Sequence, residues 1–451
     1  MNKSTLAVAV AVGLLAQQVS AAGFIEDSKA TLKLRNFYIN NDNRDSGAST
    51  AANTQSRSEE WGQGFQLDYT SGFTQGTVGF GIDAIGLLGV RLDSGGGTNG
   101  RSGNSYGGTV FPSKSNGDAV NDFSSLGLTA KAKISQTELR YGTLMPKLPV
   151  VSYNDGRLLP QTFEGGQITS NEIKDLTLIG GQIEHVKGRN SSSEEQMSIG
   201  GANARTANSN KFLYGGADYK INKDLLVQYY YGNLKEFYKQ HFLGLTHNWA
   251  IGPGVLKSDL RYFHSSDDGK NGYDSAYFGN GDYHNSILGN GKGKVDNNLY
   301  SGLFLYTVEG HTFGGGYQVS NGSSDFPWLN QGDGSSAYII TDMQIQKFAR
   351  AGERTWQARY SYDFAKVGIP GLTAGAVYLR GDNIDTYSGG RQTSKGASEW
   401  ERDITVGYVV QEGPLKNLGL MWKNAMWRND IANQRDQDEN RLIVSYSIPL
   451  L

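Results

Sequence analysis

The C-terminal segment Asn440-Arg441-Leu442-Ile443-Val444-Ser445-Tyr446-Ser447-Ile448-Pro449-Leu450 alternates between two kinds of side chain. Successive side chains of a β-strand point to opposite sides, so every second residue shares a face. One face of this strand would carry Leu442, Val444, Tyr446, Ile448 and Leu450. A continuous apolar face beside a more polar one suits the wall of a barrel that lies in a membrane. We therefore predict that this segment is the closing strand of a barrel.

The same two-residue period recurs throughout the chain. From residue 28 onward it predicts eighteen strands, the first at 28–39 and the last at 440–450, and no long segment has the period of an amphipathic helix. Two of these strands are placed at 173–179 and 181–188. In the segment from Gly371 to Asp382, Val377 and Leu379 share one face while Tyr378, Arg380 and Asp382 share the other. The pattern predicts that Val377 and Leu379 face lipid and that Arg380 faces the barrel interior.

Short and long connections alternate between the predicted strands. The short ones include Ser71-Gly72, Gly180-Gly181 and Glu309-Gly310, and the long ones are 89–122, 143–172, 189–210, 266–296, 321–353 and 383–399. Tight turns at one end and long loops at the other, with an even number of strands, are typical of outer-membrane barrels. Closure follows because a sheet in hydrocarbon cannot leave its edge groups unpaired. We predict an all-β, transmembrane, antiparallel β-barrel of about eighteen strands with long extracellular loops folding into the pore.

The N-terminus predicts export. Lys3 supplies a short basic region, Leu6 to Ala16 an apolar stretch, and Val19-Ser20-Ala21 a small-residue cleavage site, so residues 1–22 are expected to be a cleaved signal peptide. Residues 23–451 then form one barrel domain. The rest of the chain has no apolar run long enough for a membrane helix, which excludes a helical membrane protein. The absence of cysteine means that packing or a closed sheet, rather than disulfides, must provide stability.

Aromatic residues cluster on the apolar face of the predicted strands or near the strand ends. They are Tyr229, Tyr231, Trp249, Tyr262, Trp356, Tyr360, Tyr362, Tyr408, Trp422 and Tyr446. Aromatic girdles occupy these positions in membrane barrels, although aromatic residues favour any β-sheet. Together with the alternating loops, the distribution favours the girdle.

Composition and motifs argue against several functions. The formal net charge of -2 gives no reason to expect nucleic acid as a partner. The six histidines show no His-Glu-x-x-His spacing, and we expect no catalytic residue, metal or cofactor. Two alternatives stay open: an outer-membrane barrel hydrolase, and a secreted β-solenoid that binds or cleaves polysaccharide. A solenoid would show internal repeats, and none recurs at a fixed period.

Several strings at characteristic spacings are similar to the OprD family of substrate-specific porins from pseudomonads. They are Leu34-Arg35-Asn36-Phe37-Tyr38, Glu60-Trp61-Gly62-Gln63-Gly64-Phe65, Leu92-Asp93-Ser94-Gly95, Asp155-Gly156-Arg157-Leu158-Leu159-Pro160, Phe326-Pro327-Trp328, Gly352-Glu353-Arg354-Thr355-Trp356, Arg380-Gly381-Asp382-Asn383-Ile384 and Asp438-Glu439-Asn440-Arg441. The resemblance runs from about residue 24 to the C-terminus. It implies a monomeric or weakly trimeric barrel in the outer membrane, with inward loops and a ladder of basic residues along the wall.

The same resemblance implies a channel for small carboxylate-containing solutes, such as basic amino acids or aromatic and cyclic acids. Outer-membrane lipid and lipopolysaccharide would surround it, and the barrel assembly machinery would be a partner in insertion. The polar parity of the strands, together with the Asp155 to Pro160 string, nominates the basic ladder: Arg35, Lys131, Lys133, Arg140, Arg157, Arg261, Arg359, Arg380, Lys423 and Arg441. A planar guanidinium can hold a carboxylate through two hydrogen bonds, so a row of such groups suits stepwise passage.

The long loops 143–172 and 321–353 are the candidates for the constriction, because porins fold such loops into the lumen. In the second loop, an acidic and polar side of the constriction is expected to contain Asp325, Asp333, Ser335, Ser336 and Tyr338. Acidic groups opposite a basic wall would favour zwitterions. The alternative is that these residues belong to a solvated external loop.

Overall fold

The structure is a computed structural model that describes residues 23–44, 56–94, 108–200, 207–278, 293–330, 336–388 and 391–451. The predicted signal peptide, 1–22, lies outside the described residues. Eighteen strands form one antiparallel sheet. They are β1 (Lys29–Asn43), β2 (Arg57–Thr70), β3 (Gly79–Asp93), β4 (Asp122–Ile134), β5 (Thr137–Leu144), β6 (Thr162–Ile173), β7 (Leu176–Lys187), β8 (Phe212–Lys220), β9 (Leu225–Leu234), β10 (Tyr238–Ile251), β11 (Gly254–Asp267), β12 (Asp296–Val308), β13 (His311–Gly322), β14 (Arg354–Asp363), β15 (Leu372–Ser388), β16 (Arg391–Val409), β17 (Gly419–Asn429) and β18 (Gln437–Pro449).

The sheet closes on itself. Each strand pairs with its neighbours in sequence, and β1 also pairs with β18 in a register that runs from Thr31 opposite Pro449 to Asn43 opposite Gln437. Closure leaves no edge strand, which satisfies the backbone of a sheet in hydrocarbon. The predictions of a closed barrel, of eighteen strands and of a closing strand near 440–450 are therefore confirmed.

One pair of strands differs from the prediction. The sequence pattern placed a turn at Gly180-Gly181, but both glycines lie inside β7, and β6 occupies the last third of the predicted loop 143–172. The turn falls at Lys174-Asp175, where Asp175 has a φ of 63°. Gly181 is required inside the strand because a Cβ there would come within 2.5 Å of the Tyr214 hydroxyl. Tyr214 fills the space that the glycine leaves.

The loops fold into the barrel and build an apolar core there. Segments 145–161 and the described residues of 323–353, which belong to the loops predicted to form the constriction, contribute, and so do segments 108–121 and 189–199 of two other predicted long loops. Buried residues of these loops meet inward side chains of the wall, such as Phe37, Phe242 and Phe263. Two-residue strand pairs, Lys147–Leu148 with Val151–Ser152 and Ser198–Ile199 with Leu329–Asn330, stiffen the inserted segments. Parts of the inner face are therefore apolar where a loop covers them.

This internal core reverses the predicted facing of one strand. Leu379 is fully buried against Phe348 and Trp427, and Val377 packs against the same cluster. Both side chains therefore point inward, toward the inserted loop, and not toward lipid as the apolar parity predicted. Arg380 consequently lies on the outer face. In addition, β15 and β16 continue through most of the predicted loop 383–399.

The outer face carries exposed aromatic residues of the predicted girdle. Trp249, Trp356 and Tyr360 are 49%, 43% and 43% exposed, and Leu442 of the closing strand is 51% exposed. Such exposure is unusual for a protein surrounded by water and ordinary for one surrounded by lipid. No helix in the described part of the chain is long and apolar enough to cross a membrane.

Candidate functional site

The first part of the site is a clamp around the inserted segment 154–158. Arg35, on the inner face of β1, holds both carboxylate oxygens of Asp155 at 2.7 and 3.1 Å and donates to the Arg157 carbonyl oxygen at 2.7 Å. Arg157 in turn donates to the Thr109 carbonyl oxygen of the next inserted segment. A bidentate arginine–carboxylate pair fixes both distance and orientation. The wall therefore determines where the loop narrows the barrel.

Gly156 lies between two further guanidinium groups. Arg441, on β18, donates to the Gly156 carbonyl oxygen at 3.2 Å, and Arg189 donates to the Asn154 side chain at 2.8 Å. A Cβ at Gly156 would come within 3.1 Å of Arg189 and 3.7 Å of Arg441. Arg441 also pairs with Glu439 at 2.7 Å. Three arginines, Arg35, Arg189 and Arg441, thus surround one short loop, which itself carries Arg157.

A second group lies where the loop 323–353 meets the wall. Arg261 on β11 forms a bidentate pair with Asp259, at 2.8 and 2.7 Å, and donates to the Tyr338 carbonyl oxygen at 3.2 Å. Its guanidinium carbon lies 4.1 Å from the centre of the Tyr338 ring, which is a cation–π arrangement. Burial raises the pKa of the Tyr338 phenol. Arg261 and Tyr338 together anchor this part of the loop.

The third group lines a cavity of about 260 Å³. Arg359 on β14, Lys423 on β17 and Asp403 on β16 face it, together with Met343 and Gln344 of the inserted loop. Arg359 is held by Gln357 at 2.6 Å and by the Ile340 carbonyl oxygen. Lys423 donates no hydrogen bond to the described residues, and both carboxylate oxygens of Asp403 lack a hydrogen-bond partner there. This cavity therefore presents polar groups whose hydrogen bonds are not used up within the described protein.

The remaining basic residues lie on β4 and β5. Lys131 is buried, pairs with Asp83 at 2.6 Å and donates to the Ser71 carbonyl oxygen at 2.7 Å, so it holds the turn between β2 and β3. Lys133 and Arg140 line a polar cavity of about 410 Å³ near the short-turn end. Arg140 is also bonded to Glu138 of its own strand.

The structure therefore brings nine of the ten predicted ladder residues inside the barrel: Arg35, Lys131, Lys133, Arg140, Arg157, Arg261, Arg359, Lys423 and Arg441. Arg380 is the exception. It lies opposite Trp356 and Trp400, on the outer face, because its neighbour Leu379 occupies the internal core. Its predicted place in the lumen is wrong.

The predicted acidic and polar side of the constriction is only partly described. Asp325 is 6% exposed and accepts a hydrogen bond from the Ala351 backbone at 2.6 Å. It braces the two ends of the inserted loop and does not face the pore, so its predicted position is wrong. Ser336 bridges to Ser152, and Tyr338 stacks on Arg261. Asp333 and Ser335 lie outside the described residues.

Several acidic residues of the wall were not among the predicted site residues. Glu401 is fully buried and accepts backbone hydrogen bonds from Ile345 at 3.0 Å and Gln346 at 2.8 Å. Glu439 accepts from the Gln344 side chain at 2.9 Å. Asp403 follows Glu401 on the same face. They lie on the polar face of their strands, and the prediction that polar faces line the lumen, which nominated the basic residues, would have nominated these acidic residues as well.

In chemical terms the site offers charge and hydrogen bonds to a passing solute. Within the described residues no group of three or more histidine, cysteine, aspartate or glutamate side chains could hold a metal ion. The wall supplies fixed cations, one unsatisfied carboxylate and water-accessible cavities. Such an arrangement exchanges the hydration shell of a solute for weak, successive contacts.

Comparison with known proteins identifies the architecture. A family profile described as "outer membrane porin, OprD family" matches residues 22–450. The chain belongs to the OprD family. It is 36% identical over 448 residues to the porin-like protein GalP of Pseudomonas putida, with 99% of this chain and 97% of that protein covered. The resemblance found in the sequence is therefore confirmed.

Solved OprD-family structures share the barrel. OccK8 (OprE) of Pseudomonas aeruginosa is 61% identical, with a TM-score of 0.84 and coverage of 95% of this chain and 100% of that one. OpdK of the same organism, crystallised with vanillate, is 35% identical with a TM-score of 0.81 and the same coverage. The protein is a substrate-specific porin of the outer membrane, and its relatives are channels. The closed barrel also excludes the β-solenoid alternative.

Proposed function

We propose that this porin passes small carboxylate-bearing solutes, and that Lys423 and Arg359 bind the carboxylate. The cavity that these two residues share with Asp403 carries the proposal. A carboxylate that enters it meets one ammonium whose donors are not engaged by the described residues and one guanidinium whose position is already fixed. Hydrogen bonds between charged groups are about twice as strong as neutral ones.

The ladder leads into this cavity. Lys423 is the cross-strand neighbour of Arg441 on β18, and Arg441 borders the clamp around Gly156. Residues directly opposite on one face of an antiparallel sheet lie roughly 5 Å apart. A carboxylate leaving the clamp therefore has a second cation within one step. Each contact is weak enough to release the solute, which conduction requires.

Asp403 favours amphoteric solutes among the carboxylates. Its two carboxylate oxygens receive no hydrogen bond from the described residues, and it lines the same cavity as the two cations. Both oxygens are buried in the structure, so an ammonium or guanidinium group of the solute would contact them after the Asp403 side chain turns toward the cavity, while the solute carboxylate contacts Lys423. Aromatic acids are the second class of candidate, because OpdK, whose structure contains the aromatic carboxylate vanillate, shares this barrel but the paired charges of this cavity favour solutes that carry both signs. We therefore place amino acids ahead of aromatic acids as substrates.

Liposome swelling tests the proposal directly. Proteoliposomes would be given a basic amino acid, a neutral amino acid, an aromatic acid and a neutral sugar of similar size. We expect the two amino acids to enter fastest, the aromatic acid next and the sugar slowest, with saturation for the amino acids. Equal rates for all four solutes would show a general pore and refute selective carboxylate passage.

We also infer that residues 1–22 are removed on export and that residues 23–451 form the mature barrel. The basic start, short apolar stretch and small-residue site support this inference. N-terminal sequencing of the protein purified from outer membranes should begin near Gly23, and retention of Met1 would contradict it.

A further inference from the structure

Four neighbouring strands each place one arginine on the outer face of the barrel. We call these residues the outer arginine row: Arg354 on β14, Arg380 on β15, Arg402 on β16 and Arg428 on β17. Their facing follows from their neighbours, because the adjacent residues in sequence point inward and are almost fully buried: Thr355, Leu379, Glu401 and Trp427. Side chains alternate along a strand, so the arginines must point outward.

Aromatic rings interleave with the row. Arg380 lies directly opposite Trp356 on one side and Trp400 on the other, and Arg402 lies opposite Tyr378. The Trp356 and Tyr378 rings are 5.4 Å apart, and the Tyr378 and Trp400 rings are 5.8 Å apart. Exposed Trp and Tyr residues mark the depth of the lipid headgroups in membrane proteins. Arg354 is the first residue of its strand after a long loop, which places the row at the extracellular end.

Three arginines of the row form no ion pair with the described residues, although the Asp382 carboxylate lies on the same outer face, directly opposite Arg354. Arg354 and Arg380 are exposed and form no ion pair with the described residues, and Arg402 donates only to the neutral side chain of Asn424. Arg428 differs, because it pairs with Asp438 at 2.7 Å. An arginine on the lipid face is costly at the bilayer midplane and is tolerated near the interfaces, where headgroups can pair with it.

The row occupies one sector of the barrel. The nearby strands β11, β12 and β13 carry Tyr262, Tyr300 and Tyr317 on their outer faces, without arginine beside them. A general requirement for interfacial cations would distribute them around the wall. Single cations such as Lys239 on β10 and Arg57 on β2 occur elsewhere on the outer face, but here four adjacent strands each contribute an arginine, which favours a local partner.

We propose that the outer arginine row is a binding site for the phosphate group of a lipid in the outer leaflet. The planar guanidinium groups match the oxygens of a phosphate, and arginine donates to such groups through two parallel hydrogen bonds. The intervening rings cover the apolar part of the same lipid. A lipid phosphate fits better than a soluble anion because the row lies among rings at headgroup depth.

Native mass spectrometry of the detergent-solubilised protein with diphosphoryl lipid A tests the site. The variant carries Arg354→Gln, Arg380→Gln and Arg402→Gln, and the control is Lys239→Gln, which removes a cation from the outer face of the remote strand β10. We expect the triple variant to bind diphosphoryl lipid A at least tenfold more weakly, while the control binds like the wild type. The wild type should bind dephosphorylated lipid A as weakly as the triple variant binds the phosphorylated form.

Three results would overturn the proposal. The first is unchanged binding of diphosphoryl lipid A by the triple variant. The second is equal binding of the phosphorylated and dephosphorylated forms by the wild type, which would mean that the arginines contact the lipid only through the apolar part of their side chains. The third is a dimer of the wild type that the triple variant loses, which would assign the row to a second copy of the chain. Assembly is checked by heat-modifiability and by unchanged single-channel conductance, because the row lies outside the lumen. If the triple variant does not assemble, Arg380→Gln alone is measured against Lys239→Gln under the same criteria.

Discussion

Lys423→Gln tests the proposed carboxylate site most directly. Glutamine keeps a polar side chain of similar reach on the inner face of β17, so the barrel should assemble normally. A carboxylate in the cavity would lose a charge-assisted hydrogen bond, which contributes about 1.5–3 kcal/mol. Since 1.36 kcal/mol corresponds to a factor of ten, the apparent affinity should fall roughly ten- to hundredfold. Arg359 and Arg441 remain, so passage should slow and not stop.

Substrate-induced block of the single-channel current measures this affinity, and Lys239→Gln provides the matched control. The control makes the same substitution on the outer face of β10, where no solute passes, and should leave the block unchanged. A second readout is the reversal potential in a salt gradient, because the loss of Lys423 leaves Asp403 less balanced and should shift the pore toward cations. Unchanged block and an unchanged reversal potential in an assembled Lys423→Gln channel would refute the role of this cavity.

Two further predictions concern assembly and pH. Gly181→Val should lower the yield of heat-modifiable barrel in outer-membrane fractions, because a Cβ there would come within 2.5 Å of the Tyr214 hydroxyl. Gly315→Ala should be tolerated, because a Cβ there would have no atom within 4 Å. Equal yields of the two variants would contradict this prediction. Burial and the neighbouring Glu399 raise the pKa of the Glu353 carboxyl well above its usual 4.5. The contribution of Glu353 to stability is therefore present at low pH and is lost as pH rises through the pKa that the carboxyl has in the folded protein. Glu353→Gln should therefore make the unfolding temperature less sensitive to pH above 4.5, and an unchanged pH profile would argue against a protonated Glu353.

The barrel could be predicted from the sequence because its signals are local and repeated. Two-residue alternation, turn residues and the spacing of loops each recur along the chain, and an error in one strand leaves the others intact. The Gly180-Gly181 error shows the limit. A glycine pair favours a turn in general, but here Gly181 makes room for Tyr214 of the neighbouring strand, which no local pattern reveals.

The facing of Val377 and Leu379 fails for a different reason. Strand parity assumes that the lumen is polar and that the outside is apolar, which holds for a barrel filled with water. The inserted loops change this, because they cover part of the wall with Phe348 and its neighbours and make an apolar inner face favourable. Parity therefore identified Arg359 and Lys423 in the open part of the lumen, and it misplaced Arg380 beside the covered part.

The internal contacts also divide the predicted ladder into two kinds of residue. Arg35 and Arg441 direct their donors to Asp155, Gly156 and Glu439, so their first effect is to fix the loop that narrows the pore. Lys423 has no such engagement with the described residues and faces an open cavity. Removing Arg35 should therefore move the constriction and alter passage of all solutes, charged or neutral, whereas removing Lys423 should alter passage of carboxylates and small ions and leave a neutral sugar unaffected. A ladder of equivalent cations would not show this difference, so the comparison of a neutral sugar with an amino acid in both variants separates a positional role from a binding role.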